Sequence, residues 1–81
     1  MLTSTQVKMV REFHSLTQKQ LAKEVGVSET LIVLVEKGDR NLTRRLAEKI
    51  IEFLKLTEQK IIAIENCFHY VEVQRQQILA Y

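Results

Sequence analysis

The basic side chains of this 81-residue chain crowd one short stretch. Five of the twelve Lys and Arg residues lie between Lys37 and Lys49, against only two acids, Asp39 and Glu48. The net charge of the whole chain, +2, is too small to indicate any partner by itself. A local cluster of this kind can hold the phosphate groups of an anionic partner, or it can be an ordinary solvated surface.

The other reactive side chains do not form the pattern of a catalytic or metal-binding site. His14 and His69 are far apart, and no spacing of Cys and His resembles a metal site. No Ser, His and acid come together in a strained turn, and no glycine-rich loop could cradle a phosphate. Cys67 is expected to be a small buried hydrophobe. We therefore predict that the chain is not an enzyme and needs neither a metal nor a cofactor.

Composition indicates one all-α domain. Pro is absent, Gly occurs only twice, and the helix formers Leu, Glu, Lys and Gln are abundant. A single Cys permits no intrachain disulfide. The first ten residues lack the pattern of a signal peptide, and no apolar run approaches the roughly 20 residues of a membrane span. We expect a cytoplasmic protein without a membrane partner, of bacterial or phage origin.

Capping patterns predict where the helices begin and end. A hydroxyl residue followed three positions later by Gln forms a capping box at Thr3 and again at Thr17. Ser28 is a third N-cap, and Gly26 and Gly38 are expected to end helices in the left-handed conformation. The predicted helices span about residues 4–14, 17–25, 29–37, 43–55 and 57–81.

Apolar residues at helical spacing predict which face of a helix packs on the core. In the first helix this face consists of Val7, Val10 and Phe13. In the fourth helix it consists of Leu46, Ile50, Phe53 and Leu54.

The second and third of these helices have the layout of a helix-turn-helix, because the turn contains Gly26 and Ser28 caps the third helix. Ala22 is small enough for the two helices to approach closely, and Val27 would fill the corner between them. The pattern resembles the phage-repressor, or Cro/Xre-like, family over about residues 6–56. The residues that carry the resemblance are Leu16, Thr17, Gln18, Leu21, Ala22, Gly26, Val27, Ser28, Ile32, Val35, Glu36 and Gly38.

The resemblance implies a compact five-helix bundle of the lambda-repressor type. Residues 1–56 would form the DNA-binding domain, and residues 57–81 a long C-terminal helix for packing and dimerisation. Members of this family bind operator DNA as dimers, with the third helix in the major groove and the start of the second helix at a phosphate. In that family an Arg of the first helix pairs with the Glu that ends the third, and Arg11 and Glu36 match those positions.

The positions that the resemblance assigns to double-stranded DNA lie on the second and third helices and on the loop after them. Gln18 would contact a phosphate, the outward face of the third helix would meet the base edges, and the basic cluster would grip the backbone. The full predicted set is Gln18, Ser28, Glu29, Thr30, Val33, Leu34, Lys37, Arg40, Asn41 and Arg44.

The third helix departs from the family in its middle, where Leu31 begins a run of five apolar residues. Leu31, Ile32 and Val35 have the spacing of a face packed on a core. Val33 and Leu34 stand where relatives often carry polar residues. Contact with thymine methyl groups, a surface for a protein partner and additional core all stay open for these two side chains.

The last predicted helix carries a heptad-like apolar stripe, which predicts a dimer interface formed by Ile61, Ile64, Phe68, Val71 and Ile78. Ile62 and other apolar residues lie beyond that stripe. We expect one stripe to pack on residues 1–56 and another to meet a second copy of the chain. The alternative is a monomer whose C-terminal helix packs only within the chain.

Two functions remain possible. The first is a dimeric transcriptional regulator, by family default a repressor, that binds a short inverted repeat through its third helix. The second is an antirepressor or adaptor that binds another regulatory protein through the apolar face of that helix or through the C-terminal helix.

Overall fold

A computed structural model describes the backbone of residues 2–79 and the side chains of residues 2–69. Over this part the chain forms five helices and no strand, as the composition and the resemblance predicted. The helices are α1 (Ser4–Phe13), α2 (Gln18–Val25), α3 (Glu29–Lys37), α4 (Arg44–Leu54) and α5 (Glu58–Leu79). Their bounds agree with the predicted ones within about two residues.

Both predicted capping boxes are present. At the start of α1 the Thr3 hydroxyl accepts from the Gln6 backbone N at 3.2 Å, and the Gln6 side chain accepts from the Thr3 backbone N at 2.9 Å. At the start of α2 the same reciprocal bonds join Thr17 and Gln20 at 3.0 and 2.8 Å. Each box satisfies backbone N–H groups that a first helical turn leaves without partners.

Left-handed residues end three of the helices. Gly26 and Gly38 end α2 and α3 at φ angles of 74° and 83°, as predicted from the glycines. Lys55 ends α4 at a φ of 52°, although it has a side chain that disfavours this conformation. This third case was not predicted, because a lysine is not a typical residue at such a position.

The core lies where α1, α2, α3, α4 and the first half of α5 meet. Its buried apolar residues are Leu2, Val7, Val10, Leu21, Ala22, Val25, Ile32, Val35, Leu46, Ala47, Ile50, Leu54, Leu56 and Ile64. Ile32 and Val35 are fully buried, as expected, whereas Leu31 is only partly buried at the edge of this core.

Three side chains are more exposed than their spacing or residue type suggests. Phe53 was assigned to the apolar face of α4, yet it is 38% exposed and lines a surface cleft beside the end of α2. Phe13 was placed with the apolar face of α1 but is 48% exposed, with its ring against the edge of His14. Cys67 was expected to be buried but is exposed, because the inward side of α5 is centred on Ile61, Ile64 and Phe68 and Cys67 lies at its margin.

The described part of the apolar stripe on α5 closes the core of its own chain. Ile64 is 2% exposed, and Ile61 and Phe68 pack partly buried against the same core. A hydrogen bond of 2.7 Å from Gln6 Nε2 to Glu65 Oε1 also ties α1 to α5. Ile64 therefore has no surface to offer a second copy, and its assignment to a dimer interface must be corrected. The two remaining predicted positions, Val71 and Ile78, lie outside the described side chains.

Candidate nucleic-acid interface

The turn between α2 and α3 is built by residues of small size and permissive backbone. The small side chain of Ala22 allows α3 to lie close to α2, and Ala22 is only 2% exposed. Gly26 takes the left-handed conformation that the turn requires, and the Val27 backbone N donates to Ala22 O at 3.0 Å. The Ser28 hydroxyl then accepts from the Leu31 backbone N at 3.1 Å and starts α3. These bonds fix the direction in which α3 leaves the turn.

α3 has a buried face and a solvent-facing one. Ile32 and Val35 anchor it in the core, while Glu29 and Thr30 at its start are exposed. Val33 and Leu34 are half-buried, so neither is part of the core and both present apolar surface. The helix therefore projects a polar first turn followed by an apolar middle.

The predicted backbone-gripping residues lie in the last turn of α3, in the loop after it and at the start of α4. Lys37, Arg40, Asn41 and Arg44 are all exposed. The loop folds back on the helix, because the backbone N of Arg40 donates to Leu34 O at 3.2 Å, and this bond holds Arg40 beside the last turn of α3. The structure thus places Lys37 and the backbone of Arg40 at the end of α3, while Asn41 lies in the loop and Arg44 is the first residue of α4.

One of these cations already has an internal partner. Arg44 Nε lies 3.1 Å from Glu48 Oε1 within α4, and the two side chains are 84% and 61% exposed. An ion pair with such exposure contributes little free energy, so Arg44 can leave Glu48 for another anion at low cost.

A buried ion pair joins α1 to the end of α3. Arg11 Nε and Nη2 donate to the two carboxylate oxygens of Glu36 at 2.6 and 2.9 Å, and Arg11 Nη1 donates to Leu16 O at 2.8 Å. The side chains are only 10% and 4% exposed. The hydrogen bonds to Glu36 raise the pKa of Arg11 above its ordinary value, against the opposing effect of burial. The pair predicted from the resemblance is present.

Gln18 has a partner that the sequence did not predict. Its Nε2 donates to Glu36 Oε1 at 3.1 Å, so the side chain assigned to a phosphate is engaged inside the protein. The two residues are 18 positions apart and share no helical periodicity, so only the folded arrangement of α2 and α3 shows that they meet.

Comparison of the sequence with known protein families identifies the family of this chain. The sequence profile of the family described as Helix-turn-helix matches residues 7–61, more than half of the chain. The chain belongs to the helix-turn-helix family. The resemblance inferred from the residues of α2 and α3 is thereby confirmed.

Archaeal proteins share this helix-turn-helix sequence. An uncharacterized HTH-type transcriptional regulator of Methanocaldococcus jannaschii is 38% identical over 60 residues, which are 74% of this chain and 91% of that protein. Two uncharacterized HTH-type transcriptional regulators of Archaeoglobus fulgidus are 46% identical over 46 residues, or 57% of this chain. The matched segment is 66% and 65% of their lengths, just under two thirds.

Membership of the helix-turn-helix family indicates a DNA-binding regulator and not an enzyme. The relatives are archaeal, so the expected bacterial or phage origin is not confirmed. Within the described part of the chain, no helix combines the length and the apolar character needed to cross a bilayer. Among the residues that the structure describes, no three His, Cys, Asp or Glu side chains are grouped to hold a metal ion.

Proposed function

We propose that this helix-turn-helix protein is a transcriptional repressor that binds a short inverted-repeat operator as a dimer, with α3 in the major groove. One observation supports the proposal: the exposed first turn of α3 and the exposed Lys37 of its last turn lie on the same helix, and the backbone of Arg40 is bonded to that helix. A helix that is about 10 Å wide with its side chains fits the major groove, and flanking cations meet the phosphates on either side. We keep a cytoplasmic location as part of this proposal.

The first turn of α3 and its apolar middle have different roles in the proposal. Thr30 can exchange hydrogen bonds with a base edge, and Glu29 can accept from the N4 amino group of cytosine. Val33 and Leu34 cannot form hydrogen bonds, but the exposed part of their side chains can contact thymine methyl groups. We infer a preference for thymine opposite Leu34 and modest discrimination at the other positions.

Affinity comes from the backbone contacts in this proposal. Lys37, Arg40 and Arg44 supply positive charge, Asn41 can donate from its amide, and the Ser28 hydroxyl lies at the start of α3. These contacts hold the protein on the duplex without reading the sequence. The N-terminus of α2 adds its partial positive charge toward a phosphate.

Dimerisation would double these contacts. One short helix binds DNA weakly, whereas two copies can reach half-sites about 34 Å apart on one side of the duplex. Because Ile64 is buried in its own chain, we place the interface on other residues of α5. Ile62 is 49% exposed on this helix and is the described apolar side chain best suited to it.

A second candidate arises from the same apolar surface on α3. The partly exposed side chains of Val33 and Leu34 could dock on another regulatory protein, which would make the chain an antirepressor or adaptor. In that case Leu34→Asp would abolish capture of the partner, and the purified chain would bind little DNA at any salt concentration.

Selection of binding sites from a random duplex pool, combined with a mass measurement of the purified chain, tests the proposal. We expect an inverted repeat with thymine opposite Leu34, and a dimer in solution. Recovery of no preferred sequence would refute the repressor, and a consensus without thymine at that step would refute the assigned role of Leu34.

A further inference from the structure

The side chain of Gln18 belongs to a buried polar network. Its Nε2 donates to Glu36 Oε1 at 3.1 Å, and the same oxygen accepts from Arg11 Nη2 at 2.9 Å. The Glu36 side chain is only 4% exposed, so these donors replace the water that its carboxylate would otherwise bind. Gln18 therefore stabilises a charged group inside the protein.

The chemistry of Glu36 fixes the orientation of the Gln18 amide. A carboxylate paired with Arg11 can only accept hydrogen bonds, so Gln18 must turn its NH₂ group toward it. One N–H of this group donates to Glu36, so a single amide N–H is left for any other acceptor. The bond to Glu36 therefore commits part of the side chain to the interior of the protein.

The network joins the end of one helix to the start of another. Glu36 lies in the last turn of α3, where the helix dipole disfavours a negative charge. Gln18 is the first residue of α2, where the dipole favours one. The hydrogen bond between them therefore links the start of α2, which faces a phosphate in the proposed complex, to the far end of α3.

We propose that Gln18 is a positioning residue that sets the orientation of α3 relative to α2, and so determines sequence-specific binding more than general DNA affinity. This inference rests on the proposed function. Base contacts need α3 at a defined depth and angle in the groove, whereas non-specific binding depends on charge and tolerates a small rotation. Loss of the hydrogen bond to Glu36 should therefore affect the two kinds of binding unequally.

The test compares Gln18→Met with Lys19→Met. Methionine keeps the length of Gln18 but cannot donate a hydrogen bond to Glu36. Glu36 still accepts both hydrogen bonds from Arg11, so the substitution leaves no buried charge unpaired. Lys19 is the exposed neighbour at the same helix start, so its replacement removes a charge without touching the network. Fluorescence anisotropy would measure the affinity of each for the duplex selected by the wild-type chain and for a scrambled duplex of equal composition.

Gln18→Met should weaken binding to the selected duplex at least about fivefold and change binding to the scrambled duplex less than about twofold. Lys19→Met should weaken both by similar factors. Gln18→Lys restores a hydrogen-bond donor near Glu36. Its affinity for the selected duplex divided by its affinity for the scrambled duplex should therefore be higher than the same ratio for Gln18→Met.

Equal losses on both duplexes with Gln18→Met would identify a direct phosphate contact and overturn the inference, as would no loss on either. A Gln18→Lys protein that binds both duplexes more tightly at an unchanged ratio would also overturn it. Failure of the proposed function would be seen separately, in the binding-site selection that precedes this assay. The wild-type chain would then select no duplex, and the inference would fail with the proposed function.

Discussion

Arg11 and Glu36 form two parallel hydrogen bonds, Nε to Oε2 at 2.6 Å and Nη2 to Oε1 at 2.9 Å, in a place where neither side chain is more than 10% exposed. This pair connects the first helix to the last turn of α3. The pair therefore holds α3, which carries the proposed base contacts, on the rest of the domain.

Arg11→Met should destabilise the protein by about 3–5 kcal/mol, because it leaves the buried carboxylate of Glu36 without its charged partner. The matched control is Arg44→Met, which breaks the exposed pair with Glu48 and should cost less than about 1 kcal/mol. Urea unfolding followed by circular dichroism measures both free energies. Similar small losses for the two variants would show that the buried pair does not hold the fold.

The left-handed C-cap of α4 predicts a stabilising substitution. Lys55 has a φ of 52°, which costs a residue with a side chain about 1–2 kcal/mol, so Lys55→Gly should stabilise the protein by up to about 1 kcal/mol after the entropy cost of glycine. Gly38→Ala should destabilise the protein by about 1–2 kcal/mol, because alanine is strained in the left-handed conformation at this position. The added Cβ would meet no neighbouring atom, so no clash contributes to this loss. Thermal unfolding measures both changes. A destabilised Lys55→Gly would contradict this account of the helix end.

Substitutions at two isoleucines of α5 should have different effects, one on the stability of the fold and the other on dimerisation. Ile64→Ala should cost about 2–5 kcal/mol of stability, because Ile64 is 2% exposed in the core. Ile62→Glu should change monomer stability by less than about 0.5 kcal/mol, since Ile62 is 49% exposed, but should raise the dimer dissociation constant at least about fivefold. Sedimentation equilibrium measures the dimer. An unchanged dimer in Ile62→Glu would exclude this residue from the interface.

Residues of the loop and of α3 should affect DNA binding differently. Arg44→Ala should weaken binding to all sequences by a similar factor, because it removes a phosphate contact, while Thr30→Ala should change the preference at one base pair. Glu48→Gln is the control, since it frees Arg44 from its internal partner and should strengthen binding about twofold on any duplex. Competition assays on single-base variants of the selected site measure these effects. Identical behaviour of Arg44→Ala and Thr30→Ala would contradict the separation of roles.

Local chemistry made the helices and their starts predictable. The capping boxes at Thr3 and Thr17 and the glycine at Gly26 each act through neighbours within a few residues, so the sequence pattern contains the whole cause. Ile32 and Val35 were placed in the core by helical spacing alone. The family resemblance supplied the pairing of Arg11 with Glu36, which no local rule gives.

Features that depend on how the helices pack were not predictable. Phe53 has the spacing of a core residue but lies where the face of α4 leaves the bundle, and it stays partly exposed. The stripe on α5 has the same spacing whether it meets the chain itself or a second copy, and only the folded structure places Ile64 inside. The bond from Gln18 to Glu36 depends on the angle between two helices, which the sequence pattern does not specify.

The central claim is that α3 and the cations beside it bind duplex DNA, and the dependence of affinity on salt tests it most directly. A dimer would place six cations, Lys37, Arg40 and Arg44 of each protomer, against phosphates. We therefore expect a slope of log affinity against log salt concentration of about −5 on the selected duplex. This slope corresponds to about a thousandfold loss of affinity between about 50 and about 200 mM salt. Affinity that is negligible at low salt, or that does not change over this range, would contradict the account.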